Sequence, residues 1–420
     1  MPASSTTVVV FVPGTTASEL IFQVLGYGTQ TVWPNIVDPN NGKLKDLAYA
    51  QAMKKTTATI GNIVSTLPLD PPAPVYADLI AYFTTGANFS DGVPFTYFSA
   101  STANLAAKPS GNPPAKLFFT APYDWRQDNT ASAAYLGQVL GYLDTMYGAG
   151  WSYQASLLAH SNGGLVSRCL LETTAAAIAR NTNATPSWWN KVKMLITLAT
   201  PHLGAPLAWS AIAGLPLAAG ETGVEISFVQ SVVDSNSFPS TFELLPPESL
   251  PFIADAGGGF QDIYAASFGS QLYQSMTTCG VDIANLATAA AFFGRLQSLS
   301  ASAPPPKTYQ FFYGTGLDTL ACIGQQASAD AAFLYNPVGS TAAEIFIPQI
   351  QSGAGDKVVP ASSASYGFTT AVPTTAFPGY SHGDMGGCNI TGSGTSLGGN
   401  YKSILAAATA LGLNPVQPAG

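Results

Sequence analysis

The sequence LLAHSNGGLV at residues 157–166 decides how the rest of the chain is interpreted. The apolar run before it predicts a strand, and the residues from Leu165 to Leu171 predict a helix. Ser161 stands between them, with Ala159 in place of the first glycine of G-x-S-x-G and Gly163 in place of the last. This pattern predicts a nucleophile elbow, in which a hydroxyl projects from a sharp turn. The alternative is a glycine-rich turn with a surface serine.

Apolar segments on both sides of this turn alternate with amphipathic ones. Strands are predicted at Thr6–Val12, Val93–Phe98, Ala115–Thr120, Val192–Ala199, Lys307–Tyr313 and Ala343–Ile347, and helices near 44–63, near 74–86, at Ala131–Tyr147 and at Tyr401–Leu411. Alternation of this kind is typical of a mostly parallel central sheet with helices on both faces. Together with the elbow it predicts an α/β-hydrolase fold.

Residues 205–305 interrupt the alternation with segments rich in Ala, Gly, Leu and Pro. We expect an inserted cap or lid region here, between a first core part at 1–204 and a C-terminal core part at 306–420 that carries the acid and the histidine. Within the cap, the apolar run Ala211–Leu217 is either a lid that touches substrate or the start of a buried helix.

Composition excludes several classes of protein. Of the 420 residues, 47% are hydrophobic and 9% are charged, and the net charge is −8. Lys and Arg form no cluster, so we expect no nucleic-acid partner. No apolar run reaches the length of a membrane span. Low Lys content favours a secreted or periplasmic protein if a signal peptide was removed before residue 1, and the cytoplasm is expected otherwise.

Neither a metal nor a cofactor is expected. The four cysteines are widely spaced without a C-x-x-C pair, and three histidines are too few for a His-rich catalytic centre once two are assigned elsewhere. Cys169 on the helix after the elbow is expected to be a buried thiol. The other three could supply one disulfide of undetermined pairing. The oligomeric state is not predicted.

A nucleophilic serine needs a general base. His160 precedes Ser161 on the strand and is expected to point to the opposite side of it. His202 follows the next strand, which is too early in the chain for the hydrolase order of serine, acid and histidine. Only His382, on a late glycine-flanked loop, leaves room for an acid between. His382 is therefore the predicted base.

The acid that orients the base is predicted to be Asp356, which follows a glycine-rich turn and precedes His382 by a short segment. Asp318 and Asp330 are the alternatives. Asp384 follows the histidine, and we expect it to cap the last helix.

The transition state also needs donors for its oxyanion. The first strand runs directly into Pro13-Gly14-Thr15-Thr16, where Thr15 is the best candidate for one backbone donor, and Asn162 after the nucleophile supplies the other. The alternative is an ordinary turn at the end of a strand. Asp124-Trp125-Arg126 predicts a structural cluster in which the guanidinium pairs with the carboxylate and stacks on an aromatic ring.

Several segments together resemble the lecithin:cholesterol acyltransferase family, which includes lysosomal phospholipases and phospholipid:diacylglycerol acyltransferases. They are VPGTT at 12–16, VPFTYF at 93–98, APYDWR at 121–126, AHSNGG at 159–164, ITLATPHLGAP at 196–206, FYGTG at 312–316, GDKVVP at 355–360 and HGDM at 382–385. The resemblance implies a capped α/β-hydrolase fold. It carries the nucleophile, acid and base onto Ser161, Asp356 and His382, and the oxyanion donors onto Thr15 and Asn162.

The chain departs from that family in its cap region, which matches poorly, and in having no cysteine before Cys169 to close an early lid. The pattern is that of a bacterial-type member. We expect a serine hydrolase that cleaves small-molecule or lipid esters through an acyl-enzyme, with acyl transfer to an alcohol and peripheral contact with a lipid surface as further expectations. The alternatives are a depolymerase of aliphatic polyesters and a catalytically silent binding protein on the same fold.

Overall fold

The computed structural model describes residues 5–34, 52–53, 57–67, 73–148, 151–213, 238–254, 259–278, 281–325 and 346–418. A parallel sheet of seven strands forms its centre. In chain order these strands are β1 (Thr6–Val12), β2 (Thr96–Ser99), β3 (Lys116–Thr120), β4 (Tyr153–His160), β5 (Val192–Leu198), β6 (Thr308–Thr315) and β7 (Thr374–Pro378).

The strand order across this sheet is β7-β6-β5-β4-β1-β3-β2, and every neighbouring pair is parallel. The strand that ends at the predicted elbow, β4, therefore lies in the middle of the sheet, and β1 lies beside it. In the register of the sheet Val12 lies opposite Ala159, and Leu198 lies opposite His160. The loops that follow β1, β4 and β5 consequently leave the sheet at the same edge.

Helices connect and cover these strands. They are α1 (Ala77–Thr84), α2 (Thr102–Leu105), α3 (Asn129–Thr145), α4 (Asn162–Ala179), α5 (Leu207–Ala213), α6 (Pro239–Phe242), α7 (Gln271–Thr278), α8 (Ile283–Arg295), α9 (Ala361–Ala364), α10 (His382–Met385) and α11 (Lys402–Ala410). None of them is both long and apolar enough to cross a membrane.

Alternate residues of β1 enter two hydrophobic cores, one on each face of the sheet. Val8, Val10 and Val12 lie in the core that α3 and α4 cover. Val9 and Phe11 lie in the core that includes residues of α1 and α11. Because both faces are covered, β1 is apolar along almost its whole length, as buried parallel strands are. The predicted fold class is confirmed, with the difference that this sheet is entirely parallel.

Smaller sheets flank the central one. Strands Ser18–Val24, Gly28–Trp33 and Thr59–Ile63 form an antiparallel sheet, and Phe260–Gln261, Ile253–Ala254, Leu317–Gln325 and Phe346–Gly355 form a mixed one. Two-residue strands pair at Thr66–Leu67 with Ala73–Pro74 and at Ile390–Thr391 with Gly398–Gly399. Short 3₁₀ helices lie at Gly86–Asn88 and Gly394–Ser396.

Of the helix predicted near 44–63, residues 52–53 are helical, but its C-terminal end is wrong. Residues 59–63 were predicted as helical and instead form a strand that pairs with Ser18–Val24. The β-branched residues Thr59, Ile60 and Ile63 suit a pleated surface, and strand pairing decides between the two local conformations. The rest of that prediction, apart from residues 52–53, 57 and 58, lies outside the described residues.

A third core joins the predicted cap to the C-terminal part of the chain. Trp209 and Ile212 of α5, with Phe242 of α6, pack in one cluster with Leu320 and Ile323. The two last-named residues come from the strand Leu317–Gln325, beyond the predicted end of the cap. The predicted strand Ala343–Ile347 is described from Phe346 onward and extends to Gly355.

Candidate active site

Ser161 lies at the turn between β4 and α4, with a φ of 53° and a ψ of −129°. A positive φ at a non-glycine residue is strained, at about 1–3 kcal/mol, and must be held by its surroundings. Three hydrogen bonds hold the Ser161 backbone. Its N–H donates to the Leu198 carbonyl at 2.9 Å, while its carbonyl accepts from the Gly164 N–H at 3.0 Å and from Thr200 Oγ1 at 2.9 Å. The serine is thus presented on a rigid turn.

Glycines allow this turn to sit close to its neighbours. A Cβ at Gly163 would collide with the Val12 carbonyl oxygen, and one at Gly164 would collide with Thr200 Oγ1. A Cβ at Gly14 would come within 2.9 Å of Ser161 Cβ. Close approach of backbone segments explains why the chain has Gly at these positions.

His382 and Asp356 form a hydrogen-bonded pair. His382 Nδ1 lies 2.9 Å from Asp356 Oδ2, and the backbone N–H of His382 donates to the Asp356 carbonyl at 2.8 Å. The other carboxylate oxygen, Oδ1, accepts the N–H groups of Val358 at 3.0 Å and Val359 at 2.7 Å. Because Asp356 is fully buried and its oxygens are occupied, one orientation of the imidazole is favoured.

The other candidate carboxylates have different hydrogen-bond partners or lie outside the described residues. Asp318 is exposed and accepts the Gly353 N–H at 3.3 Å, while Asp330 lies outside the described residues. The prediction that Asp384 caps the last helix is wrong. It closes a capping box on α10, where its Oδ2 accepts the Ser381 N–H at 3.0 Å and its own N–H donates to Ser381 Oγ. The spacing Ser-x-x-Asp suits a box on the helix that begins at His382 itself.

His160 occupies a position that sequence reasoning missed. Tyr76 Oη lies 2.8 Å from His160 Nδ1 and accepts the Gly14 N–H at 3.1 Å, and the other ring nitrogen, Nε2, lies 3.0 Å from the His382 carbonyl. A carbonyl oxygen can only accept, so Nε2 carries the proton of the neutral ring and Nδ1 accepts the Tyr76 hydroxyl. Burial, reinforced by His382, lowers the pKa of His160 to about 3 and keeps it neutral. His160 therefore links the loop after β1 to the backbone of the candidate base.

His202 is part of a buried structural cluster. Its Nε2 lies 3.0 Å from Thr197 Oγ1, and its Nδ1 lies 3.3 Å from Arg168, which is paired with Glu172. Burial, together with the Arg168 charge, lowers the pKa of His202 well below its usual value. Its ring stacks against Phe311, with centroids 3.9 Å apart. These contacts are those of a packed core residue.

Ser161, His382 and Thr15 line one cavity of about 310 Å³. Its walls are mainly apolar, and their residues include Trp33, Leu67, Trp125, Leu207, Ala208, Ala211, Leu244, Val358 and Val359. Thr15 Oγ1 is buried and makes no hydrogen bond to any group that the structure describes. Asn162 is fully buried as the first residue of α4, so its N–H has no acceptor within the helix.

Part of the predicted lid borders this cavity. Ala211 lies on α5 and lines the wall, whereas residues 214–217 lie outside the described part of the chain.

The cluster predicted around Trp125 is present and also contributes to the cavity. Arg126 donates from Nε to Asp124 Oδ1 at 2.8 Å and from Nη2 to Oδ2 at 2.6 Å, and its guanidinium lies 4.9 Å from the centroid of Phe22. Trp125 packs edge-on against Trp33, at 5.3 Å between centroids, and both rings face the cavity. The sequence predicted a structural role for this cluster. That Trp125 also lines the cavity is shown only by the three-dimensional structure.

None of the cysteines that the structure describes forms a disulfide bond. Cys169, Cys322 and Cys388 are free thiols, Cys169 being buried as expected, and Cys279 lies outside the described residues. Cys388 Sγ donates to the Val75 carbonyl at 2.8 Å. Among the residues that the structure describes, no three His, Cys, Asp or Glu side chains are grouped to hold a metal ion.

The all-parallel sheet, the helices on both faces and the strained serine turn at its edge define an α/β-hydrolase. A solved structure described as the Tle4–Tli4 complex is similar with a TM-score of 0.53 at 14% identity, over 91% of this chain and 96% of that chain. At this identity the likeness supports the fold alone.

A second comparison matches part of the chain to a family model. Residues 95–260 match the family model described as lecithin:cholesterol acyltransferase, so the predicted resemblance is confirmed over this range. The range contains Ser161 and ends before Asp356 and His382. The match supports a lipid ester hydrolase or acyltransferase without deciding between the two. A sequence comparison with curated proteins found no match.

Two lipases of known structure show weaker likeness. The Bacillus licheniformis lipase BlEst2 in mature form is similar over 99% of this chain and 95% of its own, with a TM-score of 0.35 and 11% identity. Staphylococcus hyicus lipase is similar over 71% and 90%, with a TM-score of 0.30 and 14% identity. Scores below 0.5 do not establish a shared fold.

Proposed function

We propose that the protein is a serine hydrolase of lipid-type carboxylic esters, with Ser161 as nucleophile, His382 as base and Asp356 as the acid that orients it. One observation carries the proposal. A serine on a strained elbow and a histidine paired with a buried carboxylate open into the same apolar cavity. A charged or strongly polar substrate would find few partners on these walls, whereas an acyl chain would bury its surface there.

In the proposed mechanism Ser161 Oγ attacks the ester carbonyl carbon while His382 Nε2 removes the hydroxyl proton. Asp356 keeps the proton of His382 on Nδ1 and stabilises the imidazolium that forms. The backbone N–H groups of Asn162 and Thr15 bind the oxyanion, and each such donor is worth about 3–4 kcal/mol. His382 then protonates the leaving alcohol as the carbon–oxygen bond breaks.

The acyl-enzyme is resolved by water or by a second alcohol. Water gives the free acid, and an alcohol gives a new ester, so hydrolysis and acyl transfer share every earlier step. We also propose that residues 205–305 form the cap of this site, because α5 and α6 both contribute residues to the cavity wall. The cavity volume is at the lower end of the usual range for small-molecule sites, about 300–1,000 Å³, and accommodates one acyl chain more readily than a large head group.

The test is release of acid from a panel of p-nitrophenyl esters and phospholipids, with and without a long-chain alcohol. Wild type and Ser161→Ala are compared at equal concentration. We expect release that depends on Ser161, and the fraction diverted to a new ester measures transfer. Release that persists in Ser161→Ala would overturn the nucleophile assignment, and no release from any ester would overturn the proposed activity.

A further inference from the structure

A buried amide pair connects the candidate oxyanion donor to the start of α3. Asn129 Nδ2 donates to Asn162 Oδ1 at 2.9 Å, and Asn162 Nδ2 donates to Asn129 Oδ1 at the same distance. Asn162 Nδ2 also lies 3.2 Å from Tyr123 Oη. Both asparagines are fully buried, so the two amides have few alternative partners. A reciprocal amide pair of this kind defines the position of both side chains.

Asn129 is in turn held by the predicted cap. Its backbone N–H donates to Glu243 Oε2 at 2.6 Å, and Glu243 is fully buried just after α6. Ser240 of α6 donates to the Trp125 carbonyl at 2.5 Å, which ties the same segment to the loop before α3. Thr241 and Leu244 of this segment line the cavity. One cap segment therefore touches both the cavity and the residue that pairs with Asn162.

We propose that Asn129 is a positioning residue, whose amide holds Asn162 so that the Asn162 N–H points at the developing oxyanion, and that Glu243 holds Asn129. The inference rests on the proposed function. Ser161, adjacent to Asn162, has a strained conformation, so the first residue of α4 needs contacts that prevent it from relaxing. Contacts from the end of β5 and from α4 fix Ser161, and the amide pair fixes Asn162.

The decisive variant is Asn129→Asp, which keeps the size of the side chain and replaces the Nδ2 donor by oxygen. Ser132→Ala is the matched control, since Ser132 lies on the same helix, is buried, and has a hydroxyl without a hydrogen-bond partner among the described residues. Active sites are counted by the burst from a p-nitrophenyl phosphonate. Rates are then expressed per reactive Ser161, which removes any loss of folded protein.

Two readouts separate positioning from a merely structural role. The first is kcat and KM for a p-nitrophenyl ester. The second is the inhibition constant of a long-chain alkyl trifluoromethyl ketone, whose carbonyl carbon bonds to Ser161 Oγ and whose oxygen becomes an oxyanion, the serine proton passing to His382. We expect Asn129→Asp to lower kcat about 10–100-fold and weaken ketone binding by a similar factor, because an oxyanion donor is displaced. KM should change little.

The results that would overturn the inference are specific. If Asn129→Asp matches Ser132→Ala in kcat per active site and in ketone binding, Asn129 does not position the donor. Equal weakening of KM and of ketone binding would show a general distortion of the site, which also contradicts the inference. If wild type itself gives no burst and no turnover, the proposed function fails, and the positioning role fails with it.

Should Asn129→Asp not fold, Glu243 provides the second comparison. Glu243→Gln keeps an oxygen that accepts the Asn129 N–H, whereas Glu243→Ala does not. We expect Gln to retain nearly the wild-type kcat and Ala to lose about threefold to tenfold, since small displacements of reacting groups are costly. Equal kcat values for the two variants would overturn the part assigned to Glu243.

Discussion

Ser161 has a backbone conformation that few residues with a side chain adopt, and its neighbours are arranged to keep it there. The hydrogen bonds from Gly164 and Thr200 to its carbonyl, and its own bond to Leu198, come from two parts of the chain, α4 and the end of β5. A residue so constrained is suited to chemistry in which the attacking atom must be placed before the substrate arrives. The same is true of His382, which Asp356 binds through both side chain and backbone.

Asp356→Asn is expected to lower kcat about 10⁴-fold while the fold persists, because an amide at this position favours the wrong tautomer of His382. Its matched control is Asp318→Asn, at an exposed carboxylate, which should leave kcat within about twofold. Both are measured by ester hydrolysis and circular dichroism. If Asp318→Asn is the more damaging change, the acid has been wrongly assigned.

At the scale of elements, the ends of β1 and β4 are joined by side chains as well as by sheet register. The series Gly14, Tyr76, His160 and His382 runs from the loop after β1 to the backbone of α10 through three hydrogen bonds. Because the His382 carbonyl can only accept a hydrogen bond, neutral His160 adopts the tautomer with its proton on Nε2. The loop that carries one candidate oxyanion donor is thereby tied to the helix that carries the candidate base, His382.

Tyr76→Phe is expected to leave the Gly14 N–H and His160 Nδ1 buried without a partner, which costs about 1–3 kcal/mol of unfolding free energy and lowers kcat. Tyr82→Phe is the control, because Tyr82 lies on α1 close by and its buried hydroxyl has no hydrogen-bond partner in the part of the chain described. Denaturant titration and ester hydrolysis give the two quantities. Equal losses of unfolding free energy and of kcat in the two variants would show that the hydrogen bonds of Tyr76 contribute to neither stability nor activity.

The strand–turn–helix pattern at 157–166 predicts the fold class together with the alternation of apolar and amphipathic segments around it, because buried parallel strands are apolar throughout and the elbow requires small residues at fixed positions. It could not show that His160 reaches the backbone of His382. That contact depends on the register between β4 and the distant C-terminal loop, which a single sequence does not specify. Asp384 was assigned to the wrong helix for a different reason, since its Ser-x-x-Asp spacing with Ser381 is itself the local signal of a capping box.

At the scale of the whole molecule, the segment around α6 connects the cavity, the Trp125 loop and the start of α3. This segment also carries a fully buried carboxyl group, that of Glu243. Burial is the main cause that raises the pKa of Glu243 to about 9; Asp128 acts in the same direction, while the hydrogen bond from the Asn129 N–H and the charge of Arg295 oppose the shift. The carboxyl group is therefore protonated in the folded protein at neutral pH.

This protonation makes the stability of the protein depend on pH. Between about pH 4.5 and 9 the folded state holds a proton on Glu243 that the unfolded chain releases, so the unfolding free energy falls as pH rises through this window. Glu243→Gln should flatten that decline, and Glu248→Gln, an exposed change of the same charge nearby, should not. Urea titrations at a series of pH values measure the pH dependence of the unfolding free energy. A wild-type slope retained in Glu243→Gln would contradict the assignment.

The sequence did not predict the substrate, because residues 205–305 carry no motif. Residues of α5 and α6 line the cavity, but only the three-dimensional structure shows that they do. Their neighbours at 214–237 lie outside the described residues, so the described wall is that of α5, α6 and the loops of the core. What the sequence could predict was the chemistry of the centre, since serine, carboxylate and histidine follow a fixed order along the chain.

The most direct test of the central claim is covalent labelling with a fluorophosphonate, followed by mass analysis of the peptides. We predict one label per molecule, on Ser161, and its loss in both Ser161→Ala and His382→Ala, because the hydroxyl needs the imidazole to become a nucleophile. Labelling of another residue, or of Ser161 at an undiminished rate without His382, would contradict the account.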